Sequence, residues 1–342
     1  DAHSPFRPQW SRQMNEASAF RRLGSFGISI PTVSLGCWNN FGADADEDLC
    51  KQLVFTAFDQ GVNHFDLANN YGPPPGSAEE RFGKILKHLP RDEVIISTKA
   101  GDLMWDGPYG NWGSRKHLLA SLDQSRRRLQ VGYVDIFYHH RFDPETRLDE
   151  SLGALDSAVR MGKALYPAIS NYGAEETRLA VSCIEANGFA PLLVNQSKYN
   201  LFQRDIEDEL LSVVANAGMG VVAYSPLAQG LLTDRYLAGI PTGSRAGRKD
   251  DYSGALTAGQ VTEEALTKVR ALQEVAQRRG QSLAQLVIAW TIRERAGGQV
   301  ASAIIGASSV QQLMENLRAA DGPPLTDEEL SEIDSICAAS PG

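Results

Sequence analysis

Eight short apolar strands alternate along the chain with eight or more amphipathic helices, which predicts an α/β fold whose parallel sheet closes into a (β/α)8 TIM barrel. A second observation agrees. Three strands deliver titratable groups at the same end: Val62 to Leu67 carries Asp66 and leads to Tyr71, Val94 to Thr98 leads to Lys99, and Val134 to Tyr138 leads to His139 and His140. On one face of a parallel barrel such residues read as catalytic. The rival architecture, an open doubly wound sheet, needs a phosphate turn after its first strand, and here that strand runs into Cys37-Trp38-Asn39-Asn40. The one near-fingerprint, Gly218-Met219-Gly220-Val221-Val222-Ala223, follows a helix and precedes a strand. That is the reverse of a dinucleotide-binding context, so it reads as a helix C-terminal turn.

The elements follow in order. Phe20 to Gly24 and Gly27 to Pro31 flank a short turn and read as a hairpin positioned to plug the bottom of the barrel. Val33 to Gly36 is the first barrel strand, and Asp46 to Gln60 has helical spacing and stops at Gly61. Strand Val62 to Leu67 precedes helix Ser77 to Leu86, whose Ser77-Ala78-Glu79-Glu80 start resembles a capping box. Strand Val94 to Thr98 precedes helix Ser114 to Leu129, and strand Val134 to His139 precedes helix Asp149 to Met161. Strand Ala164 to Ser170 and helix Ala174 to Asn187 come next, then strand Leu192 to Ser197, helix Ile206 to Ala217 and strand Gly220 to Tyr224. A loop from Leu231 to Thr257 and helical stretches Glu263 to Arg279 and Leu283 to Arg293 intervene before the eighth strand, Ala301 to Ile305. Helix Val310 to Arg318 closes the barrel, and Asp327 to Cys337 is an extra C-terminal helix. Residues 1–19, which hold Arg, Pro, Trp and Ser but no apolar run, read as a flexible arm, leaving residues 20–342 as a single barrel domain.

Composition narrows the function. With 42% hydrophobic and 22% charged residues the chain has ample core. A formal net charge of −9 argues against nucleic acid or an anionic membrane surface as partner, because both demand a basic face. No apolar run approaches the roughly 18 residues of a membrane span. The four cysteines, Cys37, Cys50, Cys183 and Cys337, show neither C-x-x-C nor zinc spacing and read as idle thiols of a reducing cytoplasm.

Asp66, Tyr71, Lys99 and His140 form a chemically coherent set. A tyrosine, with an unperturbed pKa near 10, is a poor proton donor at neutral pH unless its phenolate is stabilised. A nearby ammonium does this, and a carboxylate behind the lysine holds it charged and in place. Such an assembly protonates an alkoxide as it forms, while a histidine opposite orients the carbonyl. Taken singly each residue has a plainer explanation: a strand-end cap for Asp66, a rim aromatic for Tyr71, a surface lysine for Lys99, a turn polar group for His140. Strand alternation points His139 and His140 in opposite directions, which makes His139 the structural one.

These residues carry a resemblance. Gly36-Cys37-Trp38, Asp66 to Gly72, Ser97-Thr98-Lys99, Tyr133 to His140, Ile169 to Tyr172, Tyr224-Ser225-Pro226-Leu227, and Ile305 to Ser308 through Glu315-Asn316 resemble the aldo-keto reductases, in family order and over almost everything from Phe20 onward. Asn69 to Glu80 and Met104 to Gly110 resemble the bacterial L-glyceraldehyde 3-phosphate reductase branch, itself close to the voltage-gated potassium channel β-subunits. The resemblance implies a catalytic tetrad of Asp66, Tyr71, Lys99 and His140, with Tyr71 as proton donor and hydride from NADPH lying extended across the barrel mouth. It implies Ser170, Asn171 and Gln196 at the carboxamide, Tyr224 stacked on the nicotinamide, and Cys37, Trp38 and Asp66 nearby. Ser225, Pro226, Leu227, Gln229 and Gly230, with Arg235, Ser244 and Arg245, match the pyrophosphate-wrapping loop. Ile305, Gly306, Ser308, Gln312, Glu315 and Asn316 match the adenosine end, where Arg245 and Ser308 favour the 2′-phosphate and hence NADP. Without the resemblance, Arg235 and Arg245 would pass for solvated loop charges and Ser308 and Asn316 for helix decoration. The chain departs from the family at Pro167-Ala168, where a small flexible pair is usual and a shifted strand is expected, and at His139, usually smaller.

Trp38, Tyr71, Met104, Trp105, Tyr109, Trp112 and His140 are expected to line the substrate mouth, although long aromatic loops also pack on themselves. No metal is required. The expected activity is NADPH-dependent reduction of aldehydes or ketones, with small or phosphorylated aldehydes such as glyceraldehyde 3-phosphate or methylglyoxal as substrates. The competing reading is a non-catalytic NADP(H)-binding, redox-reporting subunit of the channel-β type, disfavoured because those subunits typically carry Asn at the position of His140. Resemblance also implies homo-tetramers or homo-octamers.

Overall fold

The computed structural model describes residues 20–247 and 256–338; the arm expected at residues 1–19 and the middle of the Leu231 to Thr257 loop lie outside the described residues. Strands β1 (Phe20–Arg22) and β2 (Ser29–Pro31) pair antiparallel as the expected hairpin. Leu23 and Ile30 are fully buried with Val194, Val222 and Ala301 at the lower end of the barrel strands. Ser25 N donates to Gly218 O at 2.9 Å, and a Cβ on Gly24 would meet that carbonyl oxygen at 2.1 Å. Gly24 is therefore what allows the hairpin turn to seat against the barrel floor. Gly218 itself, at φ +68°, ends a helix, as expected of the near-fingerprint.

Eight strands close the barrel in chain order: β3 (Val33–Gly36), β4 (His64–Asp66), β5 (Ile95–Ala100), β6 (Val134–His139), β7 (Ala164–Ser170), β8 (Val194–Lys198), β9 (Gly220–Tyr224) and β10 (Ser302–Ile305), with β10 returning to β3. Every barrel pairing is parallel. The covering helices are α1 (Glu47–Asp59), α2 (Ser77–Leu86), α3 (Arg115–Leu129), α4 (Leu148–Arg160), α5 (Ala174–Asn187), α6 (Leu210–Asn216), α7 (Glu263–Arg278), α8 (Leu283–Thr291) and α9 (Val310–Leu317), followed by α10 (Asp327–Ala338). Helix α1 shows why such sequences become helical. Asp46 caps it by accepting from Asp48 N and Leu49 N, a contact worth about 1 kcal/mol, and Cys50, Leu53, Val54, Ala57 and Phe58 form its buried stripe.

The structure corrects three expectations of detail. Ser77 does not cap α2, because Gly76 (φ +91°) takes that position and the Ser77 hydroxyl donates to Pro73 O and Pro74 O. Glu79 of the supposed box is fully buried, accepting from Thr98 Oγ1 at 2.6 Å and pairing with Arg128 at 2.7 Å. The helix expected from Ile206 to Ala217 is a 3-10 turn, Asp205–Glu207, followed by the shorter α6. Glu207 of that turn accepts from Arg204, Arg293 and the Tyr199 hydroxyl. Pro167 does not displace its strand: β7 keeps its ladders with β6 and β8, and the Pro167 carbonyl accepts from Leu193 N at 2.9 Å.

Packing forms two shells. Outward-facing Leu35, Phe65, Ile96, Phe137, Ile169 and Val221 meet the helices, as where Phe65 lies 5.1 Å from Phe82 of α2. The barrel interior is divided. On the β6 to β9 side it is largely apolar, with Ile136, Tyr138, Ala168, Val194 and Val222. On the β10 to β5 side buried Ser302, Ser34, His64, Ser97, Asp66 and Lys99 join Ile95 and Ile304 in the interior.

Candidate active site

Asp66 ends β4, and the chain stays extended beyond it because Leu67 N donates to Ser97 O and Asn69 N to Lys99 O, both at 2.9 Å. A turn at Tyr71 then folds the chain back, its carbonyl accepting from Gly76 N at 3.1 Å and Ala78 N at 3.3 Å. Gly72 is needed in this turn, since a Cβ there would lie 2.1 Å from Pro74 O. The result brings Tyr71 over the end of β5.

Lys99, fully buried in β5, places its three ammonium protons on Asp66 Oδ2 at 2.6 Å, Leu67 O at 2.8 Å and the Tyr71 hydroxyl at 3.2 Å. An ammonium has three donors and no acceptor, so this side chain is satisfied and held in one geometry. The other Asp66 oxygen accepts from Ser97 Oγ at 2.7 Å and Gln196 Nε2 at 2.9 Å. Burial alone would raise the Asp66 carboxyl. The Lys99 ammonium and the Ser97 hydrogen bond outweigh it and hold the group below the usual carboxylate range. Burial lowers Lys99 from its ordinary value, and Asp66 opposes that shift.

His140 follows β6, its ring 6.1 Å from that of Tyr71 and nearly perpendicular to it. Burial pushes its pKa down to about 4, against the attraction of Asp102, so the ring is neutral at physiological pH. Its Nδ1 lies 3.1 Å from Asp102 Oδ2 without the alignment of a hydrogen bond. His139 points the other way, as alternation requires. It meets the Tyr172 hydroxyl at 2.7 Å and is accommodated by Gly101 and Gly113, where any Cβ would press on its ring.

Above these groups opens a cavity of about 820 Å3. Its lining includes Asp66, Tyr71, His140 and Trp38 at the inner end, with Ser170, Asn171, Gln196 and Tyr224 on one wall. Ser225, Pro226, Leu227, Gln229, Gly230, Arg235 and Arg245 continue one side, and Ile305, Gly306, Ser308 and Gln312 the other. Non-glycine residues with positive φ gather here: Asn171 (55°), Ser225 (53°) and Gln229 (58°). Each conformation costs of order 1–3 kcal/mol and persists because neighbours fix it. Asn171, for example, donates to His140 O and accepts from the Tyr224 hydroxyl at 2.8 Å. Arg245 lies over the Trp38 ring, 5.0 Å from its centroid. Ser308 is tied to the Gln312 side chain through both its amide and its hydroxyl.

Lys99 is fully buried beneath this lining, and eight further expected site residues stand outside it. Cys37 is buried in the outer shell. Ser244 is buried within its own turn, donating to Pro241 O. Glu315 and Asn316 lie on α9, Asn316 buried and Glu315 accepting at its carbonyl from Gln285. Of the aromatic loop, Met104 N bonds Gly110 O, Trp105 lies 5.2 Å from His117, Tyr109 O meets His117 Nδ1 with its side chain exposed, and the exposed Trp112 ring carries Arg141 at 3.7 Å. In their place Asn39, Asn40, Asn70, Asp102, Leu103 and Arg141 face the cavity. Asp102 and Arg141 form an ion pair at 2.9 Å beside His140. Neither is legible in the sequence, because both sit past the strand ends, where alternation no longer assigns a direction. His64 and Ser97 share the two-residue period of Asp66 and Lys99, the signal that points them into the same interior.

The inner end can therefore polarise a carbonyl and deliver a proton, while Arg235 and Arg245 of the same lining offer charge to an anion. Comparison with known proteins agrees. Residues 32–338 match the Aldo/keto reductase family. The chain is 48% identical over 323 residues, 93% of its length and 92% of the relative's, to L-glyceraldehyde 3-phosphate reductase of Escherichia coli (strain K12). It is also 35% identical over 329 residues to a probable voltage-gated potassium channel subunit beta of Oryza sativa subsp. japonica, covering 94% and 97% of the two chains. The corresponding subunit of Arabidopsis thaliana is 34% identical over the same length.

Proposed function

The chain belongs to the aldo/keto reductase family, and from that premise we propose that it reduces small or phosphorylated aldehydes to alcohols with NADPH, with Asp66, Tyr71, Lys99 and His140 carrying the reaction. The 48% identity to a glyceraldehyde 3-phosphate reductase supports the substrate class. The observation that carries the chemistry is the Lys99 ammonium, 2.6 Å from Asp66 and 3.2 Å from the Tyr71 hydroxyl.

The residues suit a nicotinamide dinucleotide. Ser170, Asn171 and Gln196 offer donors and acceptors for a carboxamide beside the ring of Tyr224, and Arg235 and Arg245 offer charge for phosphates in the same cavity. When bound, the cofactor supplies the hydride that adds to the carbonyl carbon. Tyr71 gives its hydroxyl proton to the carbonyl oxygen, and the charge left on the phenol is stabilised by Lys99. Asp66 keeps that ammonium charged in a fully buried position, while neutral His140 offers its ring N–H to the same oxygen and orients it. The tyrosine recovers its proton from solvent as the alcohol leaves.

The similarity to channel β-subunits favours a second reading, a redox-reporting subunit without turnover. Oxidation of NADPH and NADH measured against phosphorylated trioses, dicarbonyls, aromatic aldehydes and bulky ketones separates the two. Turnover of a small aldehyde with preference for NADPH is expected. Cofactor binding without turnover of any carbonyl would leave the second reading.

A further inference from the structure

The polar side of the barrel interior is a continuous chain of hydrogen bonds. Ser302 Oγ meets Ser34 Oγ at 2.6 Å, Ser34 Oγ meets His64 Nδ1 at 2.8 Å, His64 Nε2 meets Ser97 Oγ at 3.0 Å, and Ser97 Oγ meets Asp66 Oδ1 at 2.7 Å. His64, Ser34, Ser97 and Ser302 have no solvent exposure.

Chemistry fixes the direction of each bond. A carboxylate only accepts, so the Ser97 proton is committed to Asp66 and Ser97 must accept from His64 Nε2–H. A neutral imidazole carrying its proton on Nε2 accepts at Nδ1, so Ser34 donates there and Ser302 donates to Ser34. Burial holds His64 neutral, its pKa pushed down to about 4. Every donor in the chain thus points toward Asp66, and aligned bonds of this kind reinforce one another in a low-dielectric interior.

Packing alone does not call for this arrangement, since Ile136, Val194 and Val222 fill the other side of the same barrel. We propose that His64 is a positioning residue for carbonyl reduction, acting through Ser97 to hold and polarise the Asp66 carboxylate behind Lys99. With the chain intact, part of the carboxylate charge is drawn away from Lys99, and the ammonium exerts more of its field on Tyr71. Other titratable groups facing this pair are Cys37 beyond β3, Asp102 beyond β5, Tyr138 of β6 and His140 at its end, and Tyr224 of β9. None of them lies within the Ser302 to Asp66 chain.

The inference rests on the reductase reading, and the test separates the two. His64→Leu, His64→Gln and His64→Asn are compared with the parent for kcat, its pH profile, and NADPH affinity by fluorescence titration. His64→Leu is expected to lower kcat roughly tenfold or more and to leave NADPH affinity within about twofold. Its alkaline limb is expected to move up by about half a pH unit, because a more localised Asp66 charge disfavours the phenolate. Glutamine, whose amide nitrogen reaches toward Ser97, is expected to restore both properties. Asparagine, whose amide reaches only toward Ser34, is not. Parent-like kcat and pH profile in His64→Leu, or equal damage from Gln and Asn, would overturn the proposal. Should His64→Leu fail to fold, Ser97→Ala severs the same chain next to Asp66, and an unmoved alkaline limb there has the same force. A parent enzyme that reduces no carbonyl would instead fail the reductase reading itself.

Discussion

Tyr71 and Arg245 are the residues whose replacement distinguishes chemistry from binding. Tyr71 receives a hydrogen bond from an ammonium already anchored on Asp66, so loss of its hydroxyl removes the proposed proton donor without unseating Lys99. Tyr71→Phe is expected to cut kcat by about 10²–10⁴-fold with NADPH affinity unchanged, by steady-state kinetics and fluorescence titration. Turnover at the parent rate would refute the assignment. Arg245 lines the cavity and lies over Trp38. Arg245→Ala is expected to raise the KM for NADPH by roughly tenfold more than that for NADH, as loss of a partner for the 2′-phosphate requires. Equal changes would remove that role.

Among the elements, the segment after β5 behaves unlike the strand ends. Lys99 is positioned by β5, whose direction alternation determines, whereas residues 101–113 turn back on themselves. Trp112 N donates to Gly101 O, Gly113 N to Asp143 Oδ2, and a Cβ on Gly110 would lie 1.9 Å from Trp105 O. Trp105 contacts His117 of α3 instead of the cavity. Trp105→Ala is therefore expected to lower kcat/KM for every carbonyl by a similar factor, about two- to tenfold. A change in the ranking of substrates would place the indole against them after all. Asp102, Leu103 and Arg141 are the neighbouring residues that do face the cavity.

Taken as a whole, the described residues bury four histidines, His64, His117, His139 and His140, and burial lowers the pKa of each. His64 and His140 are pushed down to about 4 and His139 to about 3, in each case first by burial. Their unfolded values lie near 6.5, so as pH falls the unfolded chain takes up protons before the folded one. Stability from this source is complete above about pH 6.5 and is lost progressively toward pH 4. At ~1.4 kcal/mol per proton and pH unit, three such groups give a slope approaching ~4 kcal/mol per unit. Urea unfolding between pH 6.5 and 4.5 measures it, and a slope below one proton would contradict the burial seen here. Asp66, held below the usual carboxylate range, contributes its own loss at still lower pH.

The barrel, its strand order and the four groups at its mouth were legible in the sequence, because strand periodicity and helix spacing are local properties set by side-chain direction. Strands β6, β7 and β9 and helices α2 and α5 run over the same residues in the structure as in the sequence pattern, and alternation alone separated His139 from His140. What lay beyond the sequence depends on contacts between residues far apart in it. Ser77 lost its cap because Gly76 took the position, and Glu207 before the shortened α6 is bound both by nearby Arg204 and by distant Arg293. The aromatic loop closed on α3, and Asp102 met Arg141 only because two neighbouring strands bring their following loops together. The polar chain from Ser302 to Asp66 is the clearest case: its members stand on four strands that become neighbours only when β10 returns to β3. A local pattern specifies which way each of those side chains faces, and only closure of the sheet decides what it touches.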